Sequence, residues 1–229
     1  MAFEKMKTVD LVAKIFGEAV KEVIETSTGT SISYAPTIQE VPSISLKPDL
    51  GCFVQFSGDY SGLFIMNLSG NAALELYKRA MTFMGLPKSE LVDDYNSEDV
   101  VSSVGEMINQ VIGKARQKIE HEFGLSASNN QPKAITISSA ITLSVATMLD
   151  RPLCRRLSFR TEGNHPFYVE MNLEQTEFIR LEPVKDGSAK NIQERVDAAI
   201  QSSNDSSEDA RDKNQDENVD IEALMAEFS

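Results

Sequence analysis

Residues 96–125 read NSEDVVSSVGEMINQVIGKARQKIEHEFGL, and this stretch predicts one long amphipathic helix around which the fold is built. Asn96 and Ser97 are both suitable N-caps, with acidic residues directly after them, and Gly124 can adopt the left-handed conformation that ends a helix. At about 100° per residue, an apolar stripe roughly 80° wide contains Val101, Val104, Ile108, Val111, Ala115 and Ile119. We therefore expect a helix that begins near Ser97, ends at Gly124 and buries this stripe.

The opposite side of this helix carries a polar ridge, defined here as Ser102, Glu106, Asn109, Gly113 and Gln117. Residues three or four positions apart are neighbours on a helix, so these side chains stack along one line. One interpretation of the ridge is an ordinary solvated helix face. Two residues favour more than that: Gly113 costs about 0.5–1 kcal/mol relative to alanine in mid-helix, and asparagine is a poor interior helix residue. The ridge is therefore a candidate surface for the close approach of a partner.

Two further helices are predicted before this stretch. Apolar positions at helical spacing predict one helix over residues 8–27, with Thr8 as its cap, and a second over residues 70–86. In the second helix we expect Met81 and Met84 to pack in the core, because they share its apolar side with leucines and alanines.

Strand patterns occupy most of the remaining sequence. Alternating or continuous apolar runs around turn sequences predict hairpins within residues 52–68 and 155–172. Residues 29–48 contain three prolines and suit an edge strand or extended connection, residues 133–148 suit strands, and residues 175–181 could add a short final strand. This order of elements predicts an α+β domain with a mostly antiparallel sheet packed with long helices.

Composition excludes several classes of function. The formal net charge of −13 argues against nucleic acid or an anionic membrane as the main partner. No apolar run is long enough to cross a membrane, and the first ten residues have no signal-peptide pattern, so we expect a cytoplasmic protein without membrane insertion. Cys52 and Cys154 lack metal-ligand spacing and are expected to be buried free thiols. We assign no chemistry to His121 or His165 and expect no metal site.

The composition changes after about residue 183. Residues 184–229 hold twelve Asp or Glu and five Lys or Arg, and therefore carry a net charge of −7. We predict one domain over residues 1–183, an acidic disordered linker over 184–217 and an amphipathic docking peptide over 218–229. The docking residues of that peptide are predicted to be Asp220, Ile221, Glu222, Leu224, Met225 and Phe228.

The helix stretch resembles the catalytic helix of the CheC/CheX/FliY family of response-regulator phosphatases. The family pattern is Asp or Ser, three residues, Glu, two residues, Asn, twenty-two residues and Pro, and it is met here by Ser102, Glu106, Asn109 and Pro132. Two-site members carry a second Glu-x-x-Asn pair on their first helix. Here Glu18 is followed three residues later by Lys21, so the chain resembles single-site, CheX-like members.

The resemblance implies a CheC/CheX-like fold and a phosphatase that acts on the phosphoaspartate of a CheY-like receiver. It implies that Asn109 inserts into the receiver and orients the attacking water, and that Glu106 pairs with the receiver's lysine. Ser102 and Gly113 are expected to contact the substrate, and Pro132 to have a structural role. No cofactor is expected on this chain, because the receiver brings its own Mg²⁺. Family members often dimerise through sheet edges, so the resemblance makes a homodimer a possible assembly of this chain.

The C-terminal peptide independently suggests the same partner. Its core, Asp220-Ile-Glu-Ala-Leu-Met, is similar to the segment by which the flagellar switch proteins FliM and FliY bind phosphorylated CheY. Single-domain CheX-like proteins generally lack such a tail, and in this respect the chain departs from them. Two alternatives to the phosphatase remain: a non-catalytic receiver-binding adaptor or switch-complex component, and a protein whose ridge contacts some other partner.

Overall fold

The computed structural model describes residues 7–137, 141–144, 149 and 152–178. The predicted linker lies outside the described residues, and so does the predicted docking peptide with Asp220, Ile221, Glu222, Leu224, Met225 and Phe228. The same is true of residues 138–140 and 145–148 within the predicted strand region 133–148.

The described residues form three α-helices and ten short or medium strands. The helices are α1 (Thr8–Thr28), α2 (Gly70–Phe83) and α3 (Glu98–Phe123). The strands are β1 (Ser33–Tyr34), β2 (Gln39–Val41), β3 (Ser45–Leu46), β4 (Leu50–Gly58), β5 (Gly62–Leu68), β6 (Ala127–Asn129), β7 (Lys133–Thr136), β8 (Leu143–Ser144), β9 (Leu153–Arg160) and β10 (Pro166–Leu173).

Two hairpins, β4–β5 and β9–β10, make the centre of the main sheet. Within the described residues the strand order is β1-β9-β10-β5-β4-β6, with β2 also pairing with β9 and β7 with β4. Every pair in this sheet is antiparallel over that part of the chain, and β3 with β8 forms a separate antiparallel pair. The predicted α+β class, the antiparallel sheet and both predicted hairpins are confirmed.

The main core lies between one face of this sheet and the helices. Phe16 of α1 stacks on Phe56 and Phe64 of the β4–β5 hairpin, with ring centroids 5.6 and 5.3 Å apart. Alternate residues of the second hairpin are also buried: Leu157, Phe159, Phe167, Val169 and Met171. These contacts fix the helices on one side of the sheet, and α3 consequently has one buried and one open side.

The other face of the sheet carries a smaller core. Leu63 and Ile65 alternate with the inward residues of β5, and they pack there with Ile44, Leu46 and Ile137. The carboxylate of Glu170, fully buried on the same face, accepts hydrogen bonds from Lys47 Nζ at 2.7 Å and from Arg156 Nε at 2.8 Å. The single negative charge of this buried carboxylate is thereby balanced by two cationic side chains, as burial of a carboxylate requires.

The two cysteines are buried and free, as predicted. Burial raises the pKa of the Cys52 thiol to about 12, and it also raises the pKa of Cys154. A thiol with a raised pKa is a weak nucleophile at neutral pH, because the reactive thiolate is scarce. The cysteines therefore belong to the packing of the sheet.

Two details of the sequence prediction are wrong because tertiary contacts decide them. Thr8 is the first residue of α1 and not its cap; its hydroxyl donates to Glu177 Oε2 and accepts the Phe178 N–H, both at 2.9 Å. Residues 175–178, the described part of the predicted final strand, form no strand, and these same contacts hold them against α1.

The predicted core position of Met84 is also wrong. Met81 is partly buried against the core, whereas Met84 is 62 % exposed because α2 ends at Phe83, one residue before it. None of the helices in the described residues combines the length and the apolar character that a membrane span would need.

Candidate functional site

The long helix α3 has the caps that the sequence predicted. The Ser97 hydroxyl accepts a hydrogen bond from the Val100 N–H at 3.4 Å, which satisfies one free donor of the first turn. Gly124 has a φ of 69°, and its N–H donates to the Glu120 carbonyl at 2.8 Å. The helix therefore begins and ends within one residue of the predicted positions.

The two sides of α3 differ as the periodicity indicated. The buried side includes Val104, Ile108, Val111, Ala115 and Ile119, all in the main core. The ridge residues Ser102, Glu106, Asn109, Gly113 and Gln117 are all exposed. Val101, which the stripe also included, is only half-buried and lies at the margin between the two sides.

Four residues of the sequence motif meet at one groove, which we call the α3 groove. It has a volume of about 320 Å³ and is lined from the helix by Ser102, Glu106 and Asn109, and from the chain that returns past the helix by Gln131, Pro132 and Ala134. Pro132 thus lies beside helix residues that precede it by more than twenty positions.

The long spacing before Pro132 has a simple geometric origin. From Asn109 to the end of α3 the chain advances about 21 Å at 1.5 Å per residue. After Gly124 it reverses, and the eight residues from Leu125 to Pro132 can cover about 26 Å in an extended conformation. The return path is therefore just long enough to bring Pro132 back beside Asn109, where β7 begins to pair with β4.

The functional groups of the groove are open to solvent and to a partner. The Glu106 carboxylate accepts one hydrogen bond, from Gln110 Nε2 at 3.3 Å, and it has no ion-pair partner within the part of the chain that the structure describes. The Asn109 carboxamide makes no side-chain hydrogen bond to any described residue. The negatively charged carboxylate of Glu106 and the free amide of Asn109 lie about one helical turn apart and are therefore both available to bind an incoming molecule.

Ion pairs occupy the surface of α1 where two-site members of the resembling family carry a second Glu-x-x-Asn pair. Lys114 and Lys118 of α3 reach Glu22 of α1 at 2.5 and 3.0 Å, and these ammonium groups hold the pKa of the Glu22 carboxyl below its usual value. Lys21 pairs with Glu25 on its own helix. Where a two-site protein would present a second Glu-x-x-Asn pair, this chain has paired charges.

Among the described residues that line the α3 groove, no histidine or cysteine accompanies the Ser102 hydroxyl, and no metal-ligand cluster is present. Over the described ranges, no group of three or more His, Cys, Asp or Glu side chains could hold a metal ion. A carboxylate and an amide can bind a cation and orient a water, but hydrolysis at such a site needs further groups from the substrate. Any hydrolysis at this groove would therefore need groups that a bound molecule brings.

One groove residue was not identified from the sequence. Gln131 precedes the motif proline and faces the same groove, but it has no periodic or motif pattern of its own. Only the return path of the chain brings it near Glu106 and Asn109, so local sequence could not have indicated it. Pro132 was the nearest indication of its position.

A family model described as "Protein of unknown function (DUF3334)" matches residues 3–229 of the chain. The chain belongs to the DUF3334 family. No curated protein matches this DUF3334 sequence significantly.

Solved structures with the same fold include CheX proteins and a FliY. CheX from Desulfovibrio desulfuricans is 22 % identical with a TM-score of 0.59, over 72 % of this chain and 99 % of its own. The CheX-CheY-BeF3-Mg²⁺ complex from Borrelia burgdorferi has 15 % identity and a TM-score of 0.54, over 72 % and 98 %. FliY from Thermotoga maritima has 16 % identity and a TM-score of 0.53, over 72 % and 89 %. The predicted CheC/CheX-like fold is confirmed for this DUF3334 protein.

Glycines lie one turn before and one turn after Asn109 on α3. A Cβ atom built at Gly105 or Gly113 would meet no atom within 4 Å. Neither glycine is therefore required by packing within the chain, although each weakens the helix. The space beside Asn109 is available to a partner that approaches the helix backbone closely.

We predict that Gly113→Ala stabilises the protein by about 0.5–1 kcal/mol, because it improves helix propensity without a clash. Gly17→Ala in α1 is the matched control, since its Cβ would lie 2.6 Å from Leu157 Cδ2 in the core. Overpacking there should make Gly17→Ala less stable than Gly113→Ala by about 1–3 kcal/mol. Urea unfolding of the two variants and the wild type measures both effects. Loss of stability in Gly113→Ala would mean that the glycine has a structural role.

Proposed function

We propose that this protein is a phosphatase that hydrolyses the phosphoaspartate of a CheY-like receiver domain. The observation that carries the proposal is the meeting of Ser102, Glu106, Asn109 and Pro132 around one open groove on an otherwise well-packed helix. An open ridge suits a macromolecular substrate, because ligand sites for small molecules are normally concave and bury most of the ligand.

The Borrelia burgdorferi structure supports this choice of partner. It contains CheX, which shares this fold, together with CheY, BeF3 and Mg²⁺. Beryllium trifluoride bound to a carboxylate has the tetrahedral shape of a phosphoryl group. That complex concerns the Borrelia protein; for this chain, a phosphorylated CheY-like receiver as partner is part of the proposal.

The reaction needs little chemistry from the phosphatase. A water oxygen attacks the phosphorus, the bond from phosphorus to the aspartate oxygen breaks, and the products are inorganic phosphate and a free carboxylate. The receiver supplies the Mg²⁺ and a lysine that balance the charge of the phosphoryl group. What remains to be supplied is a water held in line with the breaking bond, and positioning of this type can lower a barrier by several kcal/mol.

Asn109 is proposed as the catalytic residue that holds this water. Its exposed carboxamide has no intramolecular partner among the described residues, so inserting it into the receiver breaks no hydrogen bond of that kind. The carbonyl oxygen can accept from the water while the NH2 group donates elsewhere, which fixes the direction of attack. An amide does not ionise, so this role should vary little with pH.

Glu106 is proposed to pair with the receiver's lysine and to set the register of the docked helix. A hydrogen bond between charged groups of this type contributes about 1.5–3 kcal/mol. In the free protein, Glu106 accepts only the exposed Gln110 bond at 3.3 Å among the contacts described. That bond is weak enough to be exchanged for a lysine.

The other motif residues are assigned supporting roles. Ser102 lies one turn before Glu106 in the groove and is proposed to contact the receiver surface. Gly113 leaves room for close approach, and Pro132 fixes the wall of the groove opposite the helix. We propose no cofactor on this chain and place the activity in the cytoplasm, where Cys52 and Cys154 would remain reduced.

The main alternative is an adaptor that binds the receiver without hydrolysing it. The same exposed ridge would serve both functions, so binding alone does not separate them. The intact Glu106 and Asn109 pair favours the enzyme, because an adaptor would need neither a free amide at the centre of the groove nor the space beside it.

Asn109→Ala should lower kcat for receiver dephosphorylation by about 100-fold or more, with little change in receiver affinity, because water positioning is lost. Glu106→Ala should lower kcat/KM roughly 10- to 100-fold through the lost charged contact. Gln117→Ala, on the same exposed ridge but outside the groove, is the matched control and should match wild type. Phosphate release from a Mg²⁺-loaded, phosphorylated CheY-like receiver measures all three. Equal activity of Asn109→Ala and wild type would contradict the assignment.

The C-terminal peptide is proposed to bind the same receiver and hold it near the active site. A tethered docking peptide raises the local concentration of its partner to roughly the millimolar range, depending on the linker. This would lower KM without any change in the chemistry at Asn109.

Deleting residues 215–229 should therefore raise KM for the phosphorylated receiver and leave kcat unchanged. Steady-state kinetics of the shortened and full chains measure the effect. As a control, full-length chain with Ile221, Leu224 and Phe228 changed to serine should reproduce the higher KM, because it keeps the length and charge of the tail. An unchanged KM in both proteins would show that the tail has another partner or none.

A further inference from the structure

Gln131 is an exposed residue on the wall of the α3 groove that faces the helix. Its side chain makes no hydrogen bond to any residue that the structure describes, and it is not one of the four motif residues. A glutamine on a surface is usually solvated and without consequence. Here its position beside Glu106 and Asn109, together with the anchoring of its backbone, indicates that Gln131 can bind a partner.

The backbone on the N-terminal side of Gln131 is anchored at two points. The Arg116 guanidinium of α3 donates to the Asn129 side-chain oxygen at 2.6 Å, which ties the returning chain to the helix. The Asn130 N–H donates to the Gln55 carbonyl of β4 at 3.0 Å. Residues 129–130 are thus fixed to both the helix and the sheet.

The C-terminal side is fixed equally well. Pro132 restricts the residue before it to extended conformations, so the backbone freedom of Gln131 is reduced directly. Lys133 then pairs with Phe53 of β4 at the start of β7. Because little backbone entropy remains to be lost at Gln131, its side chain is well suited to bind a partner.

The chemistry of the side chain indicates what it can bind. A carboxamide offers two donors and one acceptor without charge, which matches the N–H and C=O of a peptide group. A lysine at this position would repel a cation that pairs with Glu106, and a glutamate would compete for that cation. The neutral carboxamide does neither. A receiver segment that enters between α3 and residues 131–134 must bring main-chain groups past it.

We propose that Gln131 is a receiver-binding residue whose carboxamide hydrogen-bonds a main-chain peptide group of the receiver in the α3 groove. This inference rests on the proposed function, since it takes the phosphorylated receiver as the occupant of the groove. It adds a second wall to the recognition site: α3 provides the reacting amide and the carboxylate, and the returning chain provides a contact that sets affinity. Gln131 takes no part in the reaction itself.

The test compares Gln131→Ala, Gln131→Met and the matched control Asn130→Ala in the full-length chain. Asn130 is the adjacent exposed amide, and it does not line the groove. The probe is a CheY-like receiver with Mg²⁺, either phosphorylated for kinetics or loaded with beryllium trifluoride for measurement of Kd by titration. Thermal unfolding of each variant shows that the fold is retained.

Loss of one neutral hydrogen bond should raise KM and Kd roughly three- to tenfold in Gln131→Ala, with kcat within twofold of wild type. Gln131→Met keeps the length of the side chain but has no amide, so it should show the same increase. Asn130→Ala should match wild type. A merely structural role would lower the unfolding temperature, and it would not separate KM from kcat.

Wild-type affinity for the receiver in either Gln131→Ala or Gln131→Met would overturn this inference and leave the phosphatase proposal intact. A wild-type chain that binds the receiver without speeding phosphate release would overturn the proposed catalysis, and the Kd values would still decide the role of Gln131. A wild-type chain that binds none of several CheY-like receivers would overturn both.

Discussion

Burial of one stripe of α3 against the sheet determines where the functional groups point. Each isoleucine or valine of that stripe contributes about 1.5–3 kcal/mol when removed from water, and Val104, Ile108, Val111 and Ile119 are all fully buried. Rotating the helix to hide Asn109 would expose this stripe to solvent. The packing of the core thus holds α3 in the orientation that exposes the polar ridge and the free amide of Asn109. It does so although Gly105 and Gly113, on either side of that amide, weaken the helix.

The second half of the site comes from the return of the chain past the helix. Gly124 reverses the direction, and β6 and β7 both pair with the same strand, β4, on the side away from β5. This pairing sets how far Gln131 and Pro132 travel back along α3. The groove therefore depends on three features that are separated in the sequence: the Gly124 cap, the register of β7 on β4, and Pro132. Together they determine the position of the wall that faces α3.

Local sequence was sufficient for the parts of the fold that local physics controls. The caps at Ser97 and Gly124, the buried stripe and the two hairpins depend on neighbouring residues and on periodicity, and each was predicted. Thr8 and Met84 were assigned wrongly because contacts from Glu177 and the early end of α2 decide their surroundings. Gln131 was missed for a similar reason, since its place in the groove follows from long-range pairing of β7 with β4. The family pattern contains Pro132 at a fixed distance from Asn109 in sequence, and the return path of the chain, which brings both residues to one groove, gives a geometric reason for that spacing.

In the proposed reaction, the receiver brings most of the catalytic groups and this chain supplies the missing water-positioning amide. The most direct measurement follows the decay of the phosphoryl group on a Mg²⁺-loaded CheY-like receiver at increasing concentrations of wild-type protein. We expect a decay rate that rises with protein concentration and saturates. A receiver that becomes fully bound while its phosphoryl group decays at the intrinsic rate would contradict the account and leave the adaptor as the better description.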